Sequence, residues 1–404
     1  MSQPQCIRSL DGFAFTWPDS PCTITLSRIR DSSKGTTGEL VAQYLNGTGK
    51  AKTLIHQTLN LLSSKTRLAN ELTRRHEAPW DSMLEQVCVL TLRQIRAGEP
   101  LESLEPTEDD HPAWFVLNPL LYDKNPTILY GPGDSMKSFL ALWCGMLLAS
   151  GCSGAHLSAA PTPWKILFLD WEMAAQDVRS RVKMLRAGDA RLSGAPTYRR
   201  CYQPLADDVN ELKKIVSEEA VDVLIIDSLA MAAGGQELER ADSAIRFNAA
   251  LRSLNCTSLI VGHTPKPQED QKERHLYGSV FFQNLCRVSW EVRREGSTMG
   301  LYQKKNNLGP KHAPLGFTLA VDEYQGLATV TEADLMEEPS LASGLPLQDQ
   351  LAHELRERPG QTVKALAQAL NAKEATLRTK LNNTKLNATQ KRFISVEGKW
   401  ECLA

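Results

Sequence analysis

Apolar and polar positions alternate with a period of two at Phe13, Phe15 and Trp17, and again at Cys22, Ile24 and Leu26, which predicts a hairpin of half-buried strands. Glu39 to Tyr44 predicts a third strand. The spacing then turns helical from Lys65 to Leu72 and from Trp80 to Ala97, the latter through Met83, Leu84, Val87, Cys88, Leu92 and Ile95, and Gly98 closes it. From Trp114 onward short apolar runs alternate with helical stretches. Ile128 to Tyr130, Lys165 to Glu172 and Val223 to Asp227 have the continuous apolar character of strands buried on both faces. The pattern changes once more near the C-terminus. Leu347, Leu351 and Leu355 mark one helix face, Thr362 caps a helix with Val363, Leu366 and Leu370, and Leu377 and Leu381 mark a third. Phe393 to Val396 and Lys399 to Leu403 then form a hairpin across Glu397-Gly398, so this end reads as a winged helix.

These patterns predict an α/β chain in four parts. Residues 1–110 form a small α+β accessory domain, 113–330 the α/β core, 331–346 a linker rich in Glu, Pro, Ser and Gly, and 347–404 the winged helix. Glu99 to Pro112, acidic and containing proline, predicts a first linker.

Within the core, the strand at Ile128–Tyr130 runs into Gly131-Pro132-Gly133-Asp134-Ser135-Met136-Lys137-Ser138 and then into an apolar helix. Strand, glycine-containing loop and helix in this order form a P-loop. Successive backbone N–H groups cradle the phosphates of a nucleotide, a lysine reaches the β/γ-phosphates and a hydroxyl binds Mg²⁺. Lys137 and Ser138 fill those two roles, so ATP and Mg²⁺ are the expected cofactors. Met136 stands where the pattern has its second glycine. A left-handed backbone there costs a non-glycine residue about 1–2 kcal/mol, and Gly133 is the alternative carrier of the special conformation.

Two further strands end in carboxylates. Asp227 closes Val223-Leu-Ile-Ile and suits the second Mg²⁺-positioning group; Asp170 and Glu172, two residues apart, are expected on one side of their strand. Ligands bind at the carboxyl ends of strands in open α/β sheets, so Asp227, Glu172 and the P-loop are expected to converge. Hydrolysis needs a group that activates water, and Ser228 occupies the position after the aspartate where many ATPases carry a glutamate. Glu172 is the leading alternative, Asp170 the second.

Charge and cysteine usage narrow the picture little. Forty-six Lys+Arg against 47 Asp+Glu leave a net charge of −1, so any nucleic-acid affinity must come from local patches. One such patch is the C-terminal module, where ten Lys+Arg stand against six Asp+Glu from Leu345 onward. Nine dispersed cysteines without a Cys-x-x-Cys pair argue against a disulfide framework or zinc knuckle. The N-terminus has no apolar signal core and the longest apolar run is too short for a bilayer, so a cytoplasmic protein without membrane association is expected.

The core resembles the RecA-fold ATPases, and among them the RepA-type hexameric helicases of plasmids and phages. The resemblance spans roughly Trp114 to Leu319 and rests on Gly131-Pro-Gly-Asp-Ser-Met-Lys-Ser, Phe168-Leu-Asp-Trp-Glu172, Leu224-Ile-Ile-Asp227-Ser-Leu and Ile260-Val-Gly-His263-Thr-Pro-Lys. It implies that Glu172 activates water, Asp227 serves Mg²⁺ and His263 senses the γ-phosphate. It also implies a cation supplied by a neighbouring subunit, for which Arg287, Lys304 and Lys305 are the matching positions. Loops equivalent to Met231–Asp242 and Thr264–Gly278 line a central channel in those helicases, and the second offers Lys266, Lys272, Arg274 and Tyr277 for phosphates and base stacking. On the third C-terminal helix, Thr376, Lys380 and Asn383 oppose the buried leucines, where a recognition helix reads duplex DNA. The implied activity is that of a ring of six identical subunits, a DNA helicase or translocase in replication or repair of a mobile element. A nucleotide-gated DNA-binding or loading factor and a RecA-like recombinase are the alternatives.

Overall fold

The structure is a computed structural model that describes all residues except 1, 10, 33, 34, 48, 99, 100, 102, 106–113, 236, 237, 239, 266–275, 279, 383–391 and 404. The chain forms two compact units, Met1–His111 with Asp207–Glu219, and Pro112–Ala206 with Ala220–Ala404.

In the first unit, β1 (Gln5–Ser9), β2 (Gly12–Trp17), β3 (Ser20–Ser32), β4 (Gly35–Leu45) and β5 (Ala51–Asn60) form an antiparallel sheet in sequence order. The predicted hairpin and third strand are β2, β3 and β4. Both edge strands, β1 and β5, lack the clean apolar alternation and were not foreseen. Helices α1 (Thr66–Arg75) and α2 (Trp80–Ala97) supply Leu72, Met83, Leu84 and Val87 to a core shared with Phe15, Ile24, Leu26 and Leu40. The Trp17 indole donates to Gln86 Oε1 at 2.8 Å and fastens β2 to α2. A helix from the middle of the sequence also belongs here, with Lys214 paired to Asp11 at 3.0 Å. The N-terminal unit is therefore not the contiguous 1–110 segment that the sequence predicts.

The second unit opens with β6 (Phe115–Asn118), β7 (Leu121–Tyr122), β8 (Pro126–Gly131), α3 (Lys137–Ser150), β9 (Ser158–Ala159), β10 (Ile166–Asp170), α4 (Ala175–Gly188) and β11 (Thr197–Arg200), after which α5 (Leu205–Glu218) is the helix that belongs to the first unit from Asp207 onward. The second unit continues with β12 (Val223–Asp227), α6 (Leu229–Ala232), α7 (Ala241–Leu254), β13 (Thr257–His263), α8 (Val280–Leu285), β14 (Val288–Glu295), β15 (Thr298–Asn306), β16 (Leu315–Asp322) and β17 (Leu327–Glu332). Nine strands form one sheet, ordered β11-β10-β12-β13-β8-β14-β15-β16-β17. The first six run parallel and the last three antiparallel. Strands β10 and β12 are buried at every position, as continuous apolar runs require when both faces are covered. Helix α3 is buried almost throughout and packs Leu140, Trp143, Met146 and Leu147 into the same core as Phe168, Ile225 and Trp290.

The stretch expected as a second linker is folded. Leu335 and Leu341 of a short 3₁₀ turn and of α9 (Pro339–Ala342) are buried with Tyr302, whose hydroxyl donates to Leu341 O at 2.5 Å. Beyond it, α10 (Leu347–Glu357), α11 (Val363–Ala369) and α12 (Glu374–Leu381) pack with the hairpin of β18 (Phe393–Val396) and β19 (Lys399–Cys402) around Leu351, Leu355, Leu366, Leu377, Phe393 and Trp400. Thr362 caps α11 by accepting from Ala365 N at 3.2 Å. No helix among the described residues is long and apolar enough to cross a membrane.

Candidate nucleotide site

Register brings the singled-out residues to one edge of the sheet. Because β13 lies between β8 and β12, His263 pairs with Gly131, Asp227 with Val261, and Asp170 with Asp227. The convergence of the P-loop with Asp227 and Glu172 is observed.

Gly131 ends β8 where a Cβ would lie 2.4 Å from the Val292 carbonyl oxygen of β14, so no larger residue fits beside that strand. The left-handed position in the loop is Met136, with φ 59°, together with Asp134, also at φ 59°; Gly133 is not among the residues of positive φ. The left-handed conformation is thus carried by Met136 and not by Gly133, the alternative carrier. Met136 ends the turn directly before α3, where the chain must reverse hand to start the helix, and its side chain packs against the core. An unbranched side chain such as methionine can hold this backbone at modest cost, whereas a β-branched one is a steric outlier there. Met136→Val is expected to weaken nucleotide binding tenfold or more, and Met136→Gly to retain it within a few-fold, as read by titration of a fluorescent ATP analogue.

Lys137 is 3% exposed, and its Nζ donates to Pro132 O at 2.5 Å and Ser135 Oγ at 2.9 Å. Burial pushes the ammonium down to about 8, against the opposing pull of Asp227, Glu172 and Asp134. The lysine therefore sits folded onto its own loop.

The Ser138 hydroxyl lies beside the Asp227 carboxylate and favours its charged form. Asp227 is 2% exposed and its Oδ1 is buried without a hydrogen-bond partner. Burial, reinforced by Glu172 and Asp170, pushes this carboxyl up to about 6, with Ser138 acting in the other direction. An orphaned carboxylate oxygen next to a hydroxyl fits Mg²⁺, which takes one or two protein oxygens and fills its octahedron with water and phosphate. The raised value has a stability consequence. A carboxyl whose folded value exceeds its unfolded one contributes stability that is full below about 3.8 and is lost as pH rises through about 6. Near neutral pH the ionised group costs the apoprotein on the order of 2–3 kcal/mol. Asp227→Asn should raise the melting temperature by several degrees at neutral pH, a gain that shrinks as pH falls through 6 toward 4, while Mg²⁺-dependent turnover is lost; differential scanning calorimetry across pH reads the first and a phosphate-release assay the second.

Glu172 and Asp170 do not share a strand face. Strand β10 ends at Asp170, whose Oδ1 accepts from the backbone N–H groups of Glu172 and Met173 at 2.7 and 2.9 Å, so the chain turns there. Asp170 is fully buried and occupied with closing this turn, which removes it as a water-activating base. Glu172 stands at the tip of the turn, accepts from the Ser228 hydroxyl, and lies 4.0 Å from His263 Nε2. Burial and the nearby Lys137 hold the His263 imidazole below its ordinary value, with Glu172 opposing them.

A cleft of about 670 Å³ opens over the P-loop and His263, within the range of small-molecule sites, about 300–1,000 Å³. It is lined by Asp134 to Phe139 and His263, and also by Arg181 and Lys183 of α4 and Glu323 of the β16–β17 turn. No sequence motif marks these last three. Arg181, which lies over the Phe139 ring at 5.6 Å, belongs to a helix whose alternating charges look like a solvated face; only its position after Glu172 hints otherwise.

Residues 95–269 match a family model described as an AAA domain. This segment is a P-loop ATPase domain. No curated protein matches the chain.

Outside the cleft of the ATPase domain, the candidates for a cation donated between subunits separate. Lys304 pairs with the buried Glu291 at 2.9 Å, which also binds Arg293, and Lys305 donates to Gln283 O and Asn284 O at 3.0 and 2.7 Å. Arg287 is exposed; its carbonyl accepts from Asn307 N at 3.0 Å, but its side chain makes no hydrogen bond or ion pair with a described residue. It precedes Val288, which pairs with Thr127 at the start of β8, roughly 15 Å along the strand from its own P-loop.

Thr376 and Lys380 are exposed on α12, whose Leu377 and Leu381 are buried. Lys266, Lys272, Arg274 and Asn383 lie outside the described residues.

Proposed function

We propose that this chain is an ATP-driven DNA motor, a helicase or translocase that works as a ring of six. The observation that carries the reading is the division of the site. Lys137, Ser138, Asp227, Glu172 and His263 gather at one P-loop, while the exposed Arg287 stands too far along the sheet to serve that loop and its side chain has no hydrogen-bond or ion-pair partner among the described residues. A second subunit would use it. Beside Arg287, Val280 and Leu285 of α8 are exposed at 64% and 41%, an apolar surface that a neighbouring copy would cover.

In this reading Lys137 leaves Pro132 O for the β/γ-phosphates, Glu172 takes the proton of the attacking water, and His263 contacts the γ-phosphate. Mg²⁺, when bound by Ser138 and Asp227, neutralises charge on the β- and γ-phosphate oxygens. His263 also anchors a loop: Thr264 N donates to Gly131 O at 3.0 Å and Tyr277 N to His263 O at 2.7 Å, so both ends of 264–277 are pinned beside the γ-phosphate position. A change at the phosphate would thus reach a segment proposed to grip single-stranded DNA. The C-terminal module is proposed to be a winged helix that binds duplex through Thr376, Lys380 and Asn383. Removing 347–404 should abolish ATP-independent duplex binding in fluorescence anisotropy and leave basal ATPase activity within a few-fold; Leu345 is kept because it packs against the Tyr302 cluster.

The test is electron microscopy of the full chain with a non-hydrolysable ATP analogue, paired with a strand-displacement assay. Closed rings and ATP-dependent displacement are expected. Filaments would favour a recombinase. Monomers without displacement would favour a nucleotide-gated loading factor, a reading supported by the strained Met136 loop.

A further inference from the structure

We infer that Ser228 is a positioning residue that holds the Glu172 carboxylate in place for water activation, an inference that rests on the proposed role of Glu172 as the base. The two residues meet across the gap between β12 and the turn after β10. Ser228 is fully buried, directly follows Asp227, and donates its hydroxyl hydrogen to Glu172 Oε1. The neighbouring pair is tied in the same way, since the Trp171 N–H donates to the Asp227 carbonyl at 2.9 Å. Two successive residues at the end of β12 therefore hold two successive residues of the turn, one through backbone and one through side chain.

The side-chain tie matters because Glu172 is otherwise loosely held. Its side chain is 45% exposed at the tip of a turn, and a glutamate in that setting samples several rotamers. A base must sit within hydrogen-bond reach of its proton, about 2.6–3.2 Å, so rotamers facing solvent are unproductive. Ser228 and His263 both address Oε1, the histidine at 4.0 Å. Oε2 is left to take the proton. A serine at this position is also better suited than an acidic residue, because Asp170 and Asp227, paired across β10 and β12, already place two carboxylates beside Glu172. A neutral donor orients Glu172 without adding a fourth negative charge.

The test is steady-state ATPase kinetics and ATP-analogue affinity of the full chain in a double-mutant cycle. Ser228→Ala should lower kcat about tenfold with analogue affinity and melting temperature unchanged, and Ser228→Thr, which keeps the hydroxyl, should recover most of the loss. In a Glu172→Gln background Ser228→Ala should cause no further loss, because there is no base left to orient. Losses that multiply in the double variant would show that Ser228 acts independently of Glu172 and would overturn the inference. Unchanged kcat in Ser228→Ala would also overturn it, as would increased kcat, which would mean that the serine restrains the glutamate. Normal turnover of Glu172→Gln alone would instead overturn the assignment of the base, a result distinct from these.

Discussion

Arg287→Ala is expected to lower kcat about 10³-fold, the lower end of the effect of an arginine supplied to a transferring phosphoryl group, while each subunit still binds nucleotide. The residue lies outside its own cleft, so the loss cannot come from the local phosphate cradle. A mixing experiment isolates the cause. Lys137→Ala subunits have a disabled P-loop and an intact Arg287; Arg287→Ala subunits have the reverse. Neither alone should turn over, yet a mixture should recover activity, because a Lys137→Ala subunit can present Arg287 to the intact site of its neighbour. Phosphate release measured against mixing ratio reads this directly. Inactive mixtures would refute donation between subunits and, with it, the strongest support for a ring.

Glu172→Gln is expected to slow turnover by about 10²- to 10⁴-fold, the usual contribution of a general base, with nucleotide affinity within a few-fold of the parent. Glutamine keeps the shape, still accepts from Ser228, and removes only the basic oxygen. Burst kinetics with labelled ATP should show tight, slowly hydrolysed complexes. The corresponding change at Asp170 has a different signature. Asp170→Asn leaves an acceptor for the Glu172 and Met173 N–H groups, so it should reduce activity far less, in keeping with a carboxylate that builds the turn. Equal and large losses at both positions would require a new assignment of the base.

The elements that the sequence determined are those whose signal is local and repeated. Helix α2 begins and ends where its apolar spacing and Gly98 predict, and β12 coincides with Val223–Asp227, because burial on both faces leaves an uninterrupted apolar run ended by a charge. The strand, loop and helix around Lys137 were legible for the same reason. Edge strands β1 and β5 were not, since a strand with one neighbour and mostly exposed positions has little need of apolar residues.

Tertiary structure alone decided which of several chemically similar residues are available. Asp170 and Glu172 look interchangeable in sequence, but the chain turns after β10 and spends Asp170 on two backbone N–H groups. Arg287, Lys304 and Lys305 look equivalent too; strand pairing places Glu291 under Lys304 and the carbonyls that end α8 under Lys305, and leaves Arg287 exposed. Arg181 and Lys183 enter the cleft only because α4 folds back over the P-loop side of the sheet. Residue type sets what a side chain can do, and sequence shows that; its partners come from distant parts of the chain through sheet register, which no local pattern encodes.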